Sequence, residues 1–158
     1  MDSEDAFTND HGDGTSIVDV RVPRGRTGSR FARRLVREYC RTHRIPPQIA
    51  ADVELMTSEL ITNVVSHAYG PATLTIKRLD TATYRVEVRS KGDRFAWRPP
   101  GKDRKRSLTQ GSWGLTILDQ LAHRWDIGDE DGFTTVSFEF LNSETCHTTN
   151  SGCQLVNG

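Results

Sequence analysis

Four segments of this chain alternate apolar and polar residues so strictly that each has one apolar face and one polar face. Val18, Val20 and Val22 oppose Asp19 and Arg21; Leu74 and Ile76 oppose Thr73, Thr75 and Lys77; Val136, Phe138 and Phe140 oppose Thr135, Ser137 and Glu139. The segment Tyr84 to Ser90 puts Tyr84, Val86, Val88 and Ser90 on one side and Arg85, Glu87 and Arg89 on the other. A period of two marks a half-buried strand. A sheet of such strands has one dry face, which needs a covering layer. Helical stripes are available to cover it. Phe31, Leu35, Val36 and Tyr39 recur at helical spacing within Ser29 to Arg41. Ile49, Val53, Met56, Leu60 and Val64 do so after Pro46 and Pro47, residues suited to a helix start. A shorter run, Leu115, Ile117, Leu118, Leu121 and Ala122, follows Gly111 and Gly114. The order is strand, helix, helix, strand, strand, lid, helix, strand, with turns expected at Asp80 to Ala82 and Gly128 to Gly132. The expected fold is α/β: a two-layer sandwich of a mixed, mostly antiparallel sheet with helices on one face.

A chain of 158 residues suits one such domain. Residues 1–15 carry Asp2, Glu4, Asp5, Asp10 and Asp13 without a base, and residues 142–158 are rich in Asn, Ser, Thr and Gly. Both are expected to be mobile, leaving residues 16–141 as the domain. No apolar run approaches the roughly 20 residues that cross a bilayer, and the N-terminus lacks a basic-then-apolar signal pattern, so a cytoplasmic protein is expected. Cys40 falls on the apolar side of a helix and reads as structural. Cys146, Cys153 and His147 match no standard zinc spacing. Net charge is zero, yet nine arginines lie between Arg21 and Arg44 with Glu38 as the sole acid. With Phe31, Leu35 and Tyr39 on the opposite face and no aromatic among the bases, this reads as a solvated helix face rather than a nucleic-acid site.

Chemistry concentrates in the second helical stripe. Glu59, Asn63 and His67 stand four residues apart, so they project from one helix face at the margin of the apolar stripe. A carboxylate and a carboxamide there are costly to desolvate unless partnered. A solvated pair or a capping arrangement is one answer, and a metal-bound nucleotide is another. Further on, Gly111-Ser112-Trp113-Gly114-Leu115 opens the third stripe. A glycine-rich helix start lets free N–H groups and the helix dipole receive phosphate oxygens. Between the third strand and this box, Lys91 to Gln110 holds seven basic and two acidic residues with Pro99, Pro100 and Gly101, a mobile, positive segment that reads equally as an ordinary solvated loop.

These motifs, in this order, resemble the small ATP-binding regulators of the anti-sigma-factor serine kinase type, within the gyrase, histidine-kinase and mismatch-repair ATPase superfamily. The run Ser58 to Ala68 looks like that family's helix carrying an activating Glu and a magnesium-ligating Asn. Gly111 to Trp125 is similar to its glycine box and following helix, and Thr134 to Phe140 to its last strand. The likeness spans roughly Ile17 to Leu141. It implies a histidine-kinase-like ATPase fold, ATP and Mg2+ as cofactors, and a protein serine/threonine kinase with Glu59 as catalytic base. It also implies Asn63 as the magnesium ligand. Nucleotide contacts would come from Asn63, His67, Ser90, Gly92, Lys102, Arg104, Gly111, Ser112, Trp113, Gly114 and Leu115. The implied partners are a sigma factor or an antagonist protein, with a homodimer as the assembly. One departure stands out. Two residues before Gly92, where the family carries an aspartate that accepts from the adenine amino group, this chain has Ser90, shorter and uncharged. A protein-binding module whose base pocket has decayed is the alternative.

Overall fold

A computed structural model of the chain describes residues 8–11, 15–92 and 113–142. The elements are β1 (Thr8–His11), β2 (Thr15–Val22), α1 (Thr27–Thr42), α2 (Pro47–His67), β3 (Ala68–Arg78), β4 (Thr83–Gly92), α3 (Trp113–Leu121), β5 (Arg124–Glu130) and β6 (Phe133–Leu141). The described strands form one six-stranded sheet in the order β1, β2, β3, β4, β6, β5, with each neighbouring pair antiparallel. The two-layer α/β sandwich is as expected. The connections explain why no parallel neighbours occur among these strands. Two helices between β2 and β3 return the chain to its starting end, so β3 enters beside β2 in the opposite direction. β4 and β5 do run parallel, but β6 is inserted between them.

Three cross-strand rows build the inner face. Val18, Ile76, Val86, Phe138 and Trp125 stand side by side, as do Val20, Leu74, Val88, Val136 and Ile127. All but Trp125 and Ile127 are buried, and those two pack partly buried against the core. The third row, Val22, Ala72, Ser90, Thr134 and Asp129, turns polar halfway across the sheet. The outer face carries the charges expected of it, with Glu87 accepting from Lys77 at 2.9 Å and lying 3.4 Å from Arg85.

The helices cover these rows. α1 buries Ala32, Val36, Tyr39 and Cys40, and burial pushes the Cys40 thiol up to about 12, an inert structural cysteine. α1 ends in a Schellman motif: Ile45 N–H donates to the Cys40 carbonyl (2.9 Å), Arg44 N–H to that of Arg41 (3.2 Å), and Arg44 takes a φ of 53°. Ile45, 6% exposed, plugs into the core and aims the chain at Pro47, where α2 begins. α2 lies centrally, in contact with α1, α3, β3, β4 and β6. Its buried arc is accordingly wider than the stripe of Val53, Met56, Leu60 and Val64, and includes Ile61, Thr57, Ser58 and Asn63.

Three features differ from the sequence reading. Thr8–His11 pairs with β2 although it lies in the acidic first fifteen residues. Arg124–Glu130 forms β5, which its four charged residues Arg124, Asp126, Asp129 and Glu130 disguised. The turn expected over Gly128 to Gly132 contracts to Asp131 and Gly132, both at positive φ (52° and 76°), the two-residue hairpin loop that Asp-Gly favours. The turn at Asp80 is as read. The Asp80 carboxylate accepts from the N–H groups of Ala82 and Thr83 (2.8 Å each), which holds it below the ordinary carboxylate range.

Candidate functional site

The third row marks one end of the sandwich as chemically different. Ser90 and Thr134 are 2% and 3% exposed, directly opposite each other on β4 and β6. Thr134 Oγ1 donates to Asp129 Oδ1 at 2.8 Å, and Asp129 stands opposite Thr134 on β5. Hydroxyls and a carboxylate thus replace the valines and phenylalanine of the two preceding rows at the edge of the core.

The end of α2 arrives at this same edge. Its last residue, His67, is followed by Ala68, which pairs with Gly92, two residues past Ser90. Asn63 precedes His67 by four residues, about 6 Å along a helix. Ser58 and Thr62 are taken up locally: Arg33 Nε of α1 donates to Ser58 Oγ (2.9 Å), and Thr62 Oγ1 donates to the Ser58 carbonyl (2.8 Å). Glu59 and Asn63 follow one position further round the helix. Glu59 is half-buried, while Asn63 is 9% exposed and its Nδ2 has no hydrogen-bond partner among the described residues. A buried orphan amide costs about 1–3 kcal/mol, which a ligand oxygen would recover.

Trp113, Gly114 and Leu115 occupy the first turn of α3, whose N–H groups have no partner within the helix. α3 packs on α2, and Leu121 at its far end lies with Ile49, Asp52, Val53 and Met56 of the start of α2. The helices therefore run in opposite directions, and the start of α3 lies toward the Asn63 end of α2. Lys102, Arg104, Gly111 and Ser112 fall outside the described residues, as do Cys146 and Cys153.

The crevice around Leu121, also lined by His123, Phe140 and Leu141, encloses only about 70 Å³. That is too small for a nucleotide, which needs several hundred. It also lies at the opposite end of β6 from Thr134, about 20 Å away at strand rise. Desolvation pushes the Asp52 carboxyl up beside it.

Among the described residues no cluster of His, Cys, Asp and Glu could cage a metal. Asn63 offers a carboxamide, whose Oδ1 and Nδ2 exchange places on rotation. One neutral oxygen suits magnesium that keeps its waters and arrives on phosphates, so the residues present fit a nucleotide-borne ion rather than a resident one.

The arginines of α1 are exposed and partly engaged, Arg37 bonding Glu54 through both Nε (3.0 Å) and Nη2 (2.8 Å). No described helix is long and apolar enough to cross a membrane.

Thr134 and Asp129 stand beside Ser90 at this end without being candidates in the sequence. Thr134 was read as the start of a strand and Asp129 as part of a turn. Only the β5–β6 register brings them together, and the one local signal was the Asp131-Gly132 pair, which fixes that register.

The fold is shared with the crystal structure of the RsbU and RsbW domains of Rv1364c from Mycobacterium tuberculosis, at a TM-score of 0.63 and 18% identity, over 84% of this chain and 34% of that one. The present chain thus spans about a third of that longer one. A chain of the SiaB–SiaC complex from Pseudomonas aeruginosa is also similar, at a TM-score of 0.54 and 18% identity over 78% and 88% of the two chains. At such identities the likeness is one of fold. No curated protein sequence matches the chain. The model of the histidine kinase-like ATPase domain family matches residues 26–140, from the start of α1 into the last residues of β6 and without β1 and β2, in agreement with the motif resemblance. The chain belongs to that family.

Proposed function

We propose that the chain is an ATP-binding regulator of the anti-sigma-factor type, which phosphorylates a serine on a small antagonist protein, sequesters a transcription factor, or does both. The observation that carries this reading is the Asn63 carboxamide, buried to nine-tenths with its Nδ2 unpartnered among the described residues, at the end of the sandwich where the inner face turns polar. Ordinary packing leaves such groups bonded, so the position calls for a polar ligand. In this reading Glu59 takes the proton from the attacking hydroxyl. Asn63 and His67 face the phosphates, Ser90 and Gly92 line the base, and Asn63 ligates magnesium, which when bound neutralises charge on the phosphate oxygens. The amides of Gly111 to Leu115 stabilise charge on the transferred group, with Lys102 and Arg104 closing over it. The partners are then a sigma factor or its antagonist, in a cytoplasmic homodimer. A second reading, a protein-binding module without nucleotide, is favoured by Ser90, whose hydroxyl supplies no charge to an adenine amino group.

Calorimetric titration with ATP, ADP and GTP, with and without magnesium, separates the two. Micromolar binding of adenine nucleotides supports the kinase reading, and no binding at millimolar nucleotide leaves the binding module. Within the first outcome, Asn63→Ala is expected to remove the gain in ATP affinity that magnesium brings. An unchanged magnesium dependence in a folded variant takes Asn63 out of the site.

A further inference from the structure

The hydrogen bond from Thr134 to Asp129 fixes a proton. A threonine hydroxyl has one hydrogen and two lone pairs, and an ionised carboxylate only accepts. With Thr134 Oγ1 donating to Asp129 Oδ1 at 2.8 Å, the oxygen of this 3% exposed residue is left as an acceptor. Ser90, opposite it on β4, has no such commitment in the hydrogen bonds of the described residues, so its hydroxyl can rotate to suit either partner.

We infer that Asp129 is a positioning residue for base selection: it locks Thr134 as the acceptor for the adenine amino group, in place of the carboxylate that Ser90 lacks. Resting on the reading of this end as a nucleotide pocket, the inference explains how the chain selects its base. Adenine presents a donor where guanine presents a carbonyl oxygen, and a locked acceptor meets that oxygen lone pair to lone pair. The carboxylate stands two strands from Ser90, on the same row and the same face of the sheet. It need not touch the base, because its effect passes through one hydroxyl.

The test is titration of the full chain with magnesium-ATP and magnesium-GTP. The native chain is expected to prefer ATP by about tenfold or more. Asp129→Ala frees the hydroxyl to donate to the guanine carbonyl as well as to accept from adenine, so GTP affinity rises about tenfold, ATP affinity stays within about twofold, and the preference collapses. Asp129→Asn keeps an oxygen that accepts from Thr134 and restores the preference, which a merely structural loss would not do. Should Asp129→Ala fail to fold, Thr134→Val, similar in shape, removes the acceptor itself, so ATP affinity falls about tenfold while GTP affinity does not fall, and the preference is lost by that route. Equal weakening toward both nucleotides, or an unchanged ratio, overturns the role of Asp129 while the pocket stands. A native chain that binds neither nucleotide overturns the pocket and this inference together.

Discussion

If the chain transfers phosphoryl groups as proposed, Glu59→Ala is expected to leave the affinity for magnesium-ATP within about twofold of native and to slow that transfer by about 10²–10⁴-fold, the usual contribution of a positioned base. The two effects separate because a general base acts in the transition state, whereas in the proposed site ground-state binding rests on other groups, Asn63 among them. Glu59 is half-buried on the helix face it shares with Asn63, so it is held in place yet reachable. Turnover is read as phosphate release from ATP with water as acceptor, which needs no partner protein. Glu59→Gln keeps the size and hydrogen bonding of the side chain and loses only its basicity, so it should be as slow as the alanine variant. If the glutamine variant turns over at the native rate, Glu59 positions the site and does not take the proton.

Phe138→Ala is expected to cost about 3–5 kcal/mol of folding stability, because it empties the centre of a closed core. Phe138 is 0% exposed, the largest of the fully buried side chains, and sits between Val86 and Trp125 in the row that continues through Ile76 to Val18. Small domains have only about 5–15 kcal/mol in total, so the variant should unfold at a much lower urea midpoint. Glu59→Ala, by contrast, should leave the midpoint nearly unchanged. A loss below about 1 kcal/mol at Phe138 would mean that the rows are not packed as described.

Local periodicity was enough to find the layers. Leu74 and Ile76, Val86 and Val88, and Val136 and Phe138 alternate because each strand has one wet face, and Val53, Met56, Leu60 and Val64 recur because α2 rests on the other. What periodicity could not supply is which strand lies beside which. Ser90, Thr134 and Asp129 come from three separate segments, and they form a row only through pairings that no single stretch encodes. β5 went unread for a different reason: Trp125 and Ile127 do alternate, but charge on the surrounding positions outweighs two apolar residues in any window. The end of α1 was equally silent, since Arg44 holds the left-handed position usually given to glycine or asparagine.

The charges on β5 bear on how copies of this chain can associate. A sheet edge offers unpaired N–H and C=O groups to any other strand, and open sheets are prone to grow by addition there. Here one outer strand, β5, exposes Arg124, Asp126, Asp129 and Glu130, and the other, β1, is only four residues long. Charge guards the first edge and brevity the second, so neither is a good template for another strand. Among the described residues, then, the sheet faces are better suited than its edges to meeting a second copy.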